Sequence, residues 1–317
     1  MQAADASRLR RLPLPRQAPA VKSVVLVVNP FATRVSEKSL AHVEAELRRA
    51  SELVVVRTER PGHATELVQD ACRGGCDAVV VYSGDGGFNE ALNGLRADVP
   101  VGFVPGGGTS VLARALGLPV DPIAAAQQLG DSLAAGRTRR ITLGRVNGRR
   151  FAFGAGIGLD AEAVRLVNEL GRRDDGKRPG DLAFALAIVR ALVARRGRLE
   201  PQLEIEGLGR AALAFVANGS PYTYAKGLPL PVAPEAEFEL GLDLVAPIEV
   251  RRRSLAGTAM RLLTGHVRNG PYLYGHDLDR IVIRCDAPMP LQADGEDLGD
   301  VEAATFEAER DAVSVLV

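Results

Sequence analysis

Residues 78–90 read Ala78-Val79-Val80-Val81-Tyr82-Ser83-Gly84-Asp85-Gly86-Gly87-Phe88-Asn89-Glu90. They pass from a β-branched run through a glycine-rich turn into helical periodicity. An unbroken apolar run closed by glycines predicts a strand buried on both faces, as in a parallel sheet. The helix predicted at residues 88–95 opens straight from the turn. Glycines let the backbone approach a bulky anion, and successive N–H groups at a helix N-terminus attract one. Asp85, inside the turn, is a candidate for holding a metal ion or facing an acceptor hydroxyl. The plainer alternative is an aspartate that caps the following helix.

The same rhythm extends on both sides. Upstream, a strand at residues 24–28 ends in Asn29-Pro30, and Leu40, Val43 and Leu47 then recur at helical spacing. A second strand at residues 53–57 precedes a helix marked by Ala64, Leu67, Val68 and Ala71. Downstream, a strand at residues 101–104 runs into Pro105-Gly106-Gly107-Gly108-Thr109-Ser110, a second glycine loop that opens a helix. Strand–helix alternation predicts a parallel sheet covered on both faces, with ligands at the carboxyl ends of its strands. Either loop alone could serve only to pack a helix. At two strand ends, they make a floor for the phosphates of a nucleotide.

Near Arg139 the pattern changes. Residues 141–146, Asn147-Gly148 and residues 149–153 predict a β-hairpin, since Asn-Gly suits a type I′ turn. Helices are expected at residues 161–170, 181–194 and 255–263, among short strands at 202–205, 211–217, 238–245, 281–285 and 312–317. The expected class is therefore α/β plus β. A flexible arm (1–20) precedes a Rossmann-like parallel α/β nucleotide-binding domain (21–137), and an antiparallel β-sandwich domain with helical insertions (138–317) follows.

Composition bounds the function. The 317 residues are 46% hydrophobic, and the formal net charge is zero, so no global field recruits nucleic acid. Cys72, Cys76 and Cys285 show no metal-ligand spacing and read as free thiols in a reducing compartment. The arginines at 8, 10, 11 and 16 are not followed by the apolar stretch of a secretory signal. No run approaches the ~18 apolar residues of a membrane span. A cytoplasmic protein is expected, with peripheral contact at the inner membrane face left open. The basic–apolar segment at residues 172–198 is a candidate for docking on anionic lipid, or else a packed helix with solvated arginines.

Ser83 to Glu90 resembles the GGDGT-x-NE signature of the diacylglycerol kinase and sphingosine kinase superfamily. Asn29-Pro30 is similar to the first-strand NP of that family, and Thr58-Glu59-Arg60 with Gly62-His63-Ala64 to its TER…HA stretch. Residues 105–116, ending in Ala113-Arg114-Ala115-Leu116, resemble its P-x-G-T-x-N-x-x-A-R-x-L. Gly154-Ala155-Gly156-Ile157-Gly158-Leu159-Asp160 and the late Asp294-Gly295-Glu296 complete the series, in the family's order. Gly87 departs from the usual threonine. Ser110, Val111 and Leu240 stand where an auxiliary metal site of some bacterial members has Asn, Asp and Asp.

The resemblance implies an ATP-dependent lipid kinase acting on diacylglycerol or a related lipid alcohol, with ATP and Mg²⁺ as cofactors. It implies a nucleotide cleft lined by Asn29, Thr58, Ser83, Gly84, Gly86, Gly87, Gly107, Gly108 and Thr109. Asp85, Asp294 and Glu296 are the candidate catalytic carboxylates, and the choice of base among them is open. Asp294 and Glu296, two apart in an extended stretch, are expected to share a face. Asp160 is a candidate for the lipid head group. Two other readings stand beside this one: a soluble-substrate kinase resembling NAD kinase, and a catalytically silent lipid- or nucleotide-binding protein.

Overall fold

The structure, a computed structural model, describes residues 23–96, 98–169, 190–192, 195–225, 228–268 and 270–317. Strands β1 (Ser23–Val28), β2 (Glu52–Arg57), β3 (Ala78–Ser83) and β4 (Val101–Pro105) pair in parallel in the order β4-β3-β1-β2. Every residue of β3 is buried, as its unbroken apolar run requires. Helices α1 (Glu37–Arg48), α2 (His63–Arg73), α3 (Asp85–Gly94), α4 (Val111–Ala115) and α5 (Pro122–Ala135) connect and flank these strands. α1 starts at a capping box between Ser36 and Ser39 and buries Leu40, Val43 and Leu47. α5 starts at Asp121 with Pro122 in its first turn and stops at Gly136, whose φ of 63° suits glycine.

The second half comprises β5 (Thr138–Val146), β6 (Arg149–Phe151), β7 (Gly154–Ile157), α6 (Leu159–Glu169), β8 (Leu203–Ile205), β9 (Gly209–Ala211) and β10 (Ala214–Ala217). It continues with β11 (Thr223–Ala225), β12 (Leu228–Leu230), β13 (Leu242–Pro247), α7 (Leu255–Thr264), β14 (Tyr272–Leu278), β15 (Arg280–Ala293) and β16 (Glu296–Leu316). Its pairings are antiparallel. Phe151 and Phe306 meet edge-on at 6.4 Å inside its core. The β5–β6 turn has φ of 47° at Asn147 and 89° at Gly148, the positive pair a type I′ turn needs.

β16 binds the halves together. It pairs with β15 and β5, then Val315 pairs with Val101 of β4. Val313, Val315 and Leu316 thereby enter the core of the first half. Among the described residues, fourteen strands form one continuous sheet.

Several expected elements shift for identifiable reasons. The strand expected at 238–245 starts only at Leu242, because Phe238 is drawn into the first core and its carbonyl accepts from Thr142 N at 2.6 Å. The strands expected at 281–285 and 312–317 are pieces of the much longer β15 and β16. In β16, Ala304 and Phe306 are buried while Glu302 and Glu307 face water, so no apolar run advertises its length. α3 starts at Asp85, ahead of the expected 88, which places Gly86 and Gly87 in its first helical turn. The helix expected at 181–194 lies almost wholly outside the described residues.

α2 and α3 pack so closely that a β-carbon on Gly94 would enter the envelope of the Thr65 carbonyl. Gly→Ala inside an exposed helix ordinarily stabilises. Here Gly94→Ala is expected to destabilise by about 1–3 kcal/mol through overpacking. Urea unfolding checks the sign, and a gain in stability would contradict this packing.

Candidate active site

The glycine loops after β3 and β4 lie against one another. Gly106 N donates to Ser83 O at 2.7 Å, and a β-carbon on Gly107 would stand 2.9 Å from Gly84 Cα. Only residues without side chains allow this approach. Asp85 ties the loops together, since its Oδ2 accepts from Val111 N at 3.0 Å and its Oδ1 from Leu112 N at 3.1 Å. It is a capping aspartate, but for α4 rather than for the helix that follows it. Burial raises the pKa of its carboxyl, while those two N–H groups pull in the opposite direction.

The other expected nucleotide residues gather beside these loops. Asn29 Oδ1 accepts from Phe31 N at 3.0 Å, and its Nδ2 lies 4.0 Å from where a β-carbon of Gly87 would be. Thr58 is buried just past β2, its N–H donating to Val28 O at 2.9 Å. The Ser83 hydroxyl is buried without a hydrogen-bond partner, in contact with the position a Gly87 side chain would take. A buried hydroxyl left unpaired costs stability. Gly108 opens on free space, and Thr109 is half-buried next to it.

The β15–β16 turn faces these loops from the second half. Asp294 and Gly295 have φ of 49° and 79°. The Asp294 carboxylate accepts from Ala152 N (2.6 Å), Phe153 N (3.0 Å), Gly154 N (3.2 Å) and Asn89 Nδ2 (2.8 Å). Arg149 then donates both to Asn89 Oδ1 and to Glu296. Glu296 Oε1 stands 3.6 Å from the β-carbon position of Gly86. The expectation that Asp294 and Glu296 share a face does not hold. The alternation rule needs extended backbone, whereas Asp294 is left-handed, so its side chain turns inward while Glu296 faces a cleft. That cleft measures about 340 Å³ and is bounded by Gly62, Thr65, Glu90, Arg149, Asn168 and Glu296.

Asp160, in the first turn of α6, is buried deeper in the second half. Its Oδ2 accepts from Tyr222 OH at 2.9 Å and from Gln292 Nε2 at 2.6 Å. Glycine at 156 leaves room for this carboxylate, and glycine at 154 for the Tyr222 ring. Burial raises the pKa of both Asp160 and Tyr222. Gln292 Oε1 in turn accepts from Gly295 N at 2.9 Å, linking this triad to the Asp294 turn. The roles of Asn89, Arg149, Tyr222 and Gln292 were missed from the sequence. Asn89 and Gln292 sit inside quoted motifs, but Arg149 and Tyr222 carry no local signal. In the basic segment at 172–198, Arg195 pairs with Glu162 and Arg198 with Glu200, while residues 172–189 lie outside the described structure.

Residues 23–146 match the diacylglycerol kinase catalytic domain, and residues 154–317 match the YegS C-terminal NAD kinase beta sandwich-like domain. Over 290 residues the chain is 28% identical to a diacylglycerol kinase of Bacillus subtilis (strain 168), covering 87% of this chain and 90% of that one. It is 31% identical over 236 residues to a diacylglycerol kinase of Mycobacterium tuberculosis (strain ATCC 25618 / H37Rv), covering 70% and 72%. The crystal structure of a diacylglycerol kinase from Bacillus anthracis str. Sterne has the same fold, with TM-score 0.71 and 21% identity over 94% of this chain and 98% of that one. The domain and relative matches place the protein among the kinases. The chain belongs to the diacylglycerol kinase and YegS-like lipid kinase family.

Burial lifts the Asp294 pKa to about 6 from an ordinary 3.8, outweighing the hydrogen bonds that favour the charge. A group so raised stabilises the fold fully below its unfolded value, and that contribution is lost as pH rises through the folded value. The unfolding free energy of wild type minus that of Asp294→Asn is therefore expected to fall between pH 4 and 6, by about 3 kcal/mol, and then level off. Paired urea titrations measure this difference. A flat difference would mean that Asp294 carries its charge at no cost.

Proposed function

We propose that the protein transfers the γ-phosphate of ATP to a hydroxyl of diacylglycerol or a related lipid. The observation that supports this most is Glu296, held by the Asp294 turn opposite the Gly86 loop and across a cleft from α2 and α3. In this reading residues 21–137 bind the nucleotide and residues 138–317 bind the lipid. Phosphoryl transfer needs positioning, charge neutralisation and a base for the attacking hydroxyl. Backbone N–H groups of Gly84, Gly86, Gly87, Gly107 and Gly108 cradle the phosphates, and the Ser83 and Thr109 hydroxyls add donors. Asn29 and Thr58 border the rest of the nucleotide.

Glu296 takes the proton of the lipid hydroxyl, and Arg149 keeps its carboxylate oriented. Asp85 and Asp294 act through backbone, the first by locking the two glycine loops and the second by aiming Glu296. Among the described residues no group of three or more His, Cys, Asp or Glu side chains forms a metal cage. Mg²⁺ in such sites is held by one or two carboxylates together with substrate phosphates. Of the three expected carboxylates only Glu296 faces the cleft, since both Asp85 oxygens are taken by Val111 N and Leu112 N and Asp294 is turned inward. Glu296 with the substrate phosphates would hold the ion, which would supply charge neutralisation there. Asp160, Tyr222 and Gln292 form the polar end of a lipid site, suited to a hydroxyl, which both donates and accepts. No helix among the described residues is long and apolar enough to cross a membrane. We place the protein in the cytoplasm, reaching its lipid peripherally at the inner membrane face.

Radiolabelled ATP with cellular lipid extract tests this reading, and the labelled product identifies the lipid class. Glu296→Gln is expected to lower kcat by about 10²–10⁴-fold while thermal protection by ATP·Mg²⁺ persists. Asp85→Asn keeps one acceptor oxygen and is expected to weaken ATP protection through a looser α4. Near-normal turnover in Glu296→Gln would move the base elsewhere. Transfer to NAD but not to lipid would favour the soluble-substrate reading, and no transfer at all the silent one.

A further inference from the structure

α7 has one inward face. Leu255 packs with Leu199 and Val250, Thr258 is buried, and Leu262 packs against the cluster around Tyr222 and Tyr272. Its outward side carries Ala256, Ala259, Met260 and Leu263, all exposed, Met260 by 61% and Leu263 by 47%, with Arg261 and Thr264 exposed among them. Water-facing helix positions are ordinarily polar, so an apolar outer face marks a surface meant to be covered. β12 packs against α7 and adds Leu228, which is 70% exposed.

The charges around α7 identify what covers it. Arg251, Arg252 and Arg253 immediately precede the helix, and its first turn holds no acidic residue. Cations at a helix N-terminus oppose the macrodipole, so their presence there costs helix stability rather than adding to it. Arg251 is paired with Glu249. Arg252 and Arg253 are exposed, at the end of α7 where the helix begins. The net charge of the whole chain is zero, which makes this basic cluster a local feature. Apolar side chains flanked by arginines fit the boundary between acyl chains and anionic headgroups. β11 begins one residue after Tyr222, the partner of Asp160.

We propose that α7 and strands β11 and β12 form the element that docks the protein on an anionic bilayer. Met260, Leu263 and Leu228 enter the acyl boundary, and Arg252 and Arg253 meet lipid phosphates. The placement rests on the lipid-kinase reading for its purpose, but the docking itself needs no turnover. The test is co-sedimentation with phosphatidylcholine vesicles, with and without about a third phosphatidylglycerol, for wild type, Met260→Glu/Leu263→Glu and Arg252→Glu/Arg253→Glu. Wild type should prefer the anionic vesicles, and each double variant should bind them at least about tenfold more weakly. Circular dichroism melting of both variants confirms that they are folded.

Turnover of a short-chain diacylglycerol kept below its aggregation threshold should be equal in all three proteins, while turnover of vesicle-embedded lipid drops in the variants. Vesicle binding equal in all three, or absent from wild type, would overturn the docking surface. A wild-type dimer in equilibrium sedimentation that Met260→Glu/Leu263→Glu dissociates would overturn it as well, by naming a second copy as the occupant. Anionic-vesicle binding that the variants lose, in a protein that phosphorylates no lipid, would support docking and remove only the kinase reading of the substrate.

Discussion

The Asp294 carboxylate is the constraint on which the arrangement of both halves depends. A charge taken out of water is tolerated only when hydrogen-bonded, and here three backbone N–H groups and the Asn89 amide supply those bonds. The four donors serve two structural tasks. Asn89 brings α3, and with it the first glycine loop, up to the β15–β16 turn. The N–H groups of Ala152, Phe153 and Gly154 fix the link from β6 to β7. Because Asp294 is committed to these contacts, its neighbour two residues on is the one aimed at the cleft. The distance from Glu296 to Gly86 follows from where Asp294 is held.

Asp85 is used in a comparable way within the first half. Its oxygens are occupied by the N–H groups of Val111 and Leu112, so its charge organises the second glycine loop from within the first. Preorganised N–H donors are effective for phosphate transfer because they need not reorient as charge develops. Two aspartates thus hold backbone, and the glutamate faces the open space. β16 adds a mechanical link. It carries Glu296 at its start and ends beside β4 in the first core, so the cleft is spanned by one strand.

Much of this was readable from residue order. The β-branched run ending at Ser83, the two glycine loops and the Asn147-Gly148 turn are set by local sterics, and they appear where local reasoning puts them. What escaped depends on contacts distant in sequence. The cap that Asp85 makes joins residues 26 apart, and the Asn89–Asp294 bond joins residues 205 apart. Alternation misled at Asp294, because a left-handed residue breaks the period of two. The lengths of β15 and β16 were hidden for a different reason: a strand with one wet face need not look apolar. Tyr222 lies in a polar, proline-containing stretch, and only the fold brings it to Asp160.

The central claim is that nucleotide phosphates rest on the two glycine loops with Glu296 facing them. A crystal structure with Mg²⁺ and a non-hydrolysable ATP analogue measures this directly. The account predicts the triphosphate along Gly84–Gly87 and Gly106–Thr109, a hydrogen bond to it from the Ser83 hydroxyl, and Glu296 on the open side of the terminal phosphate. A nucleotide seated instead at Gly154–Gly158, or one whose terminal phosphate points away from Glu296, would contradict it.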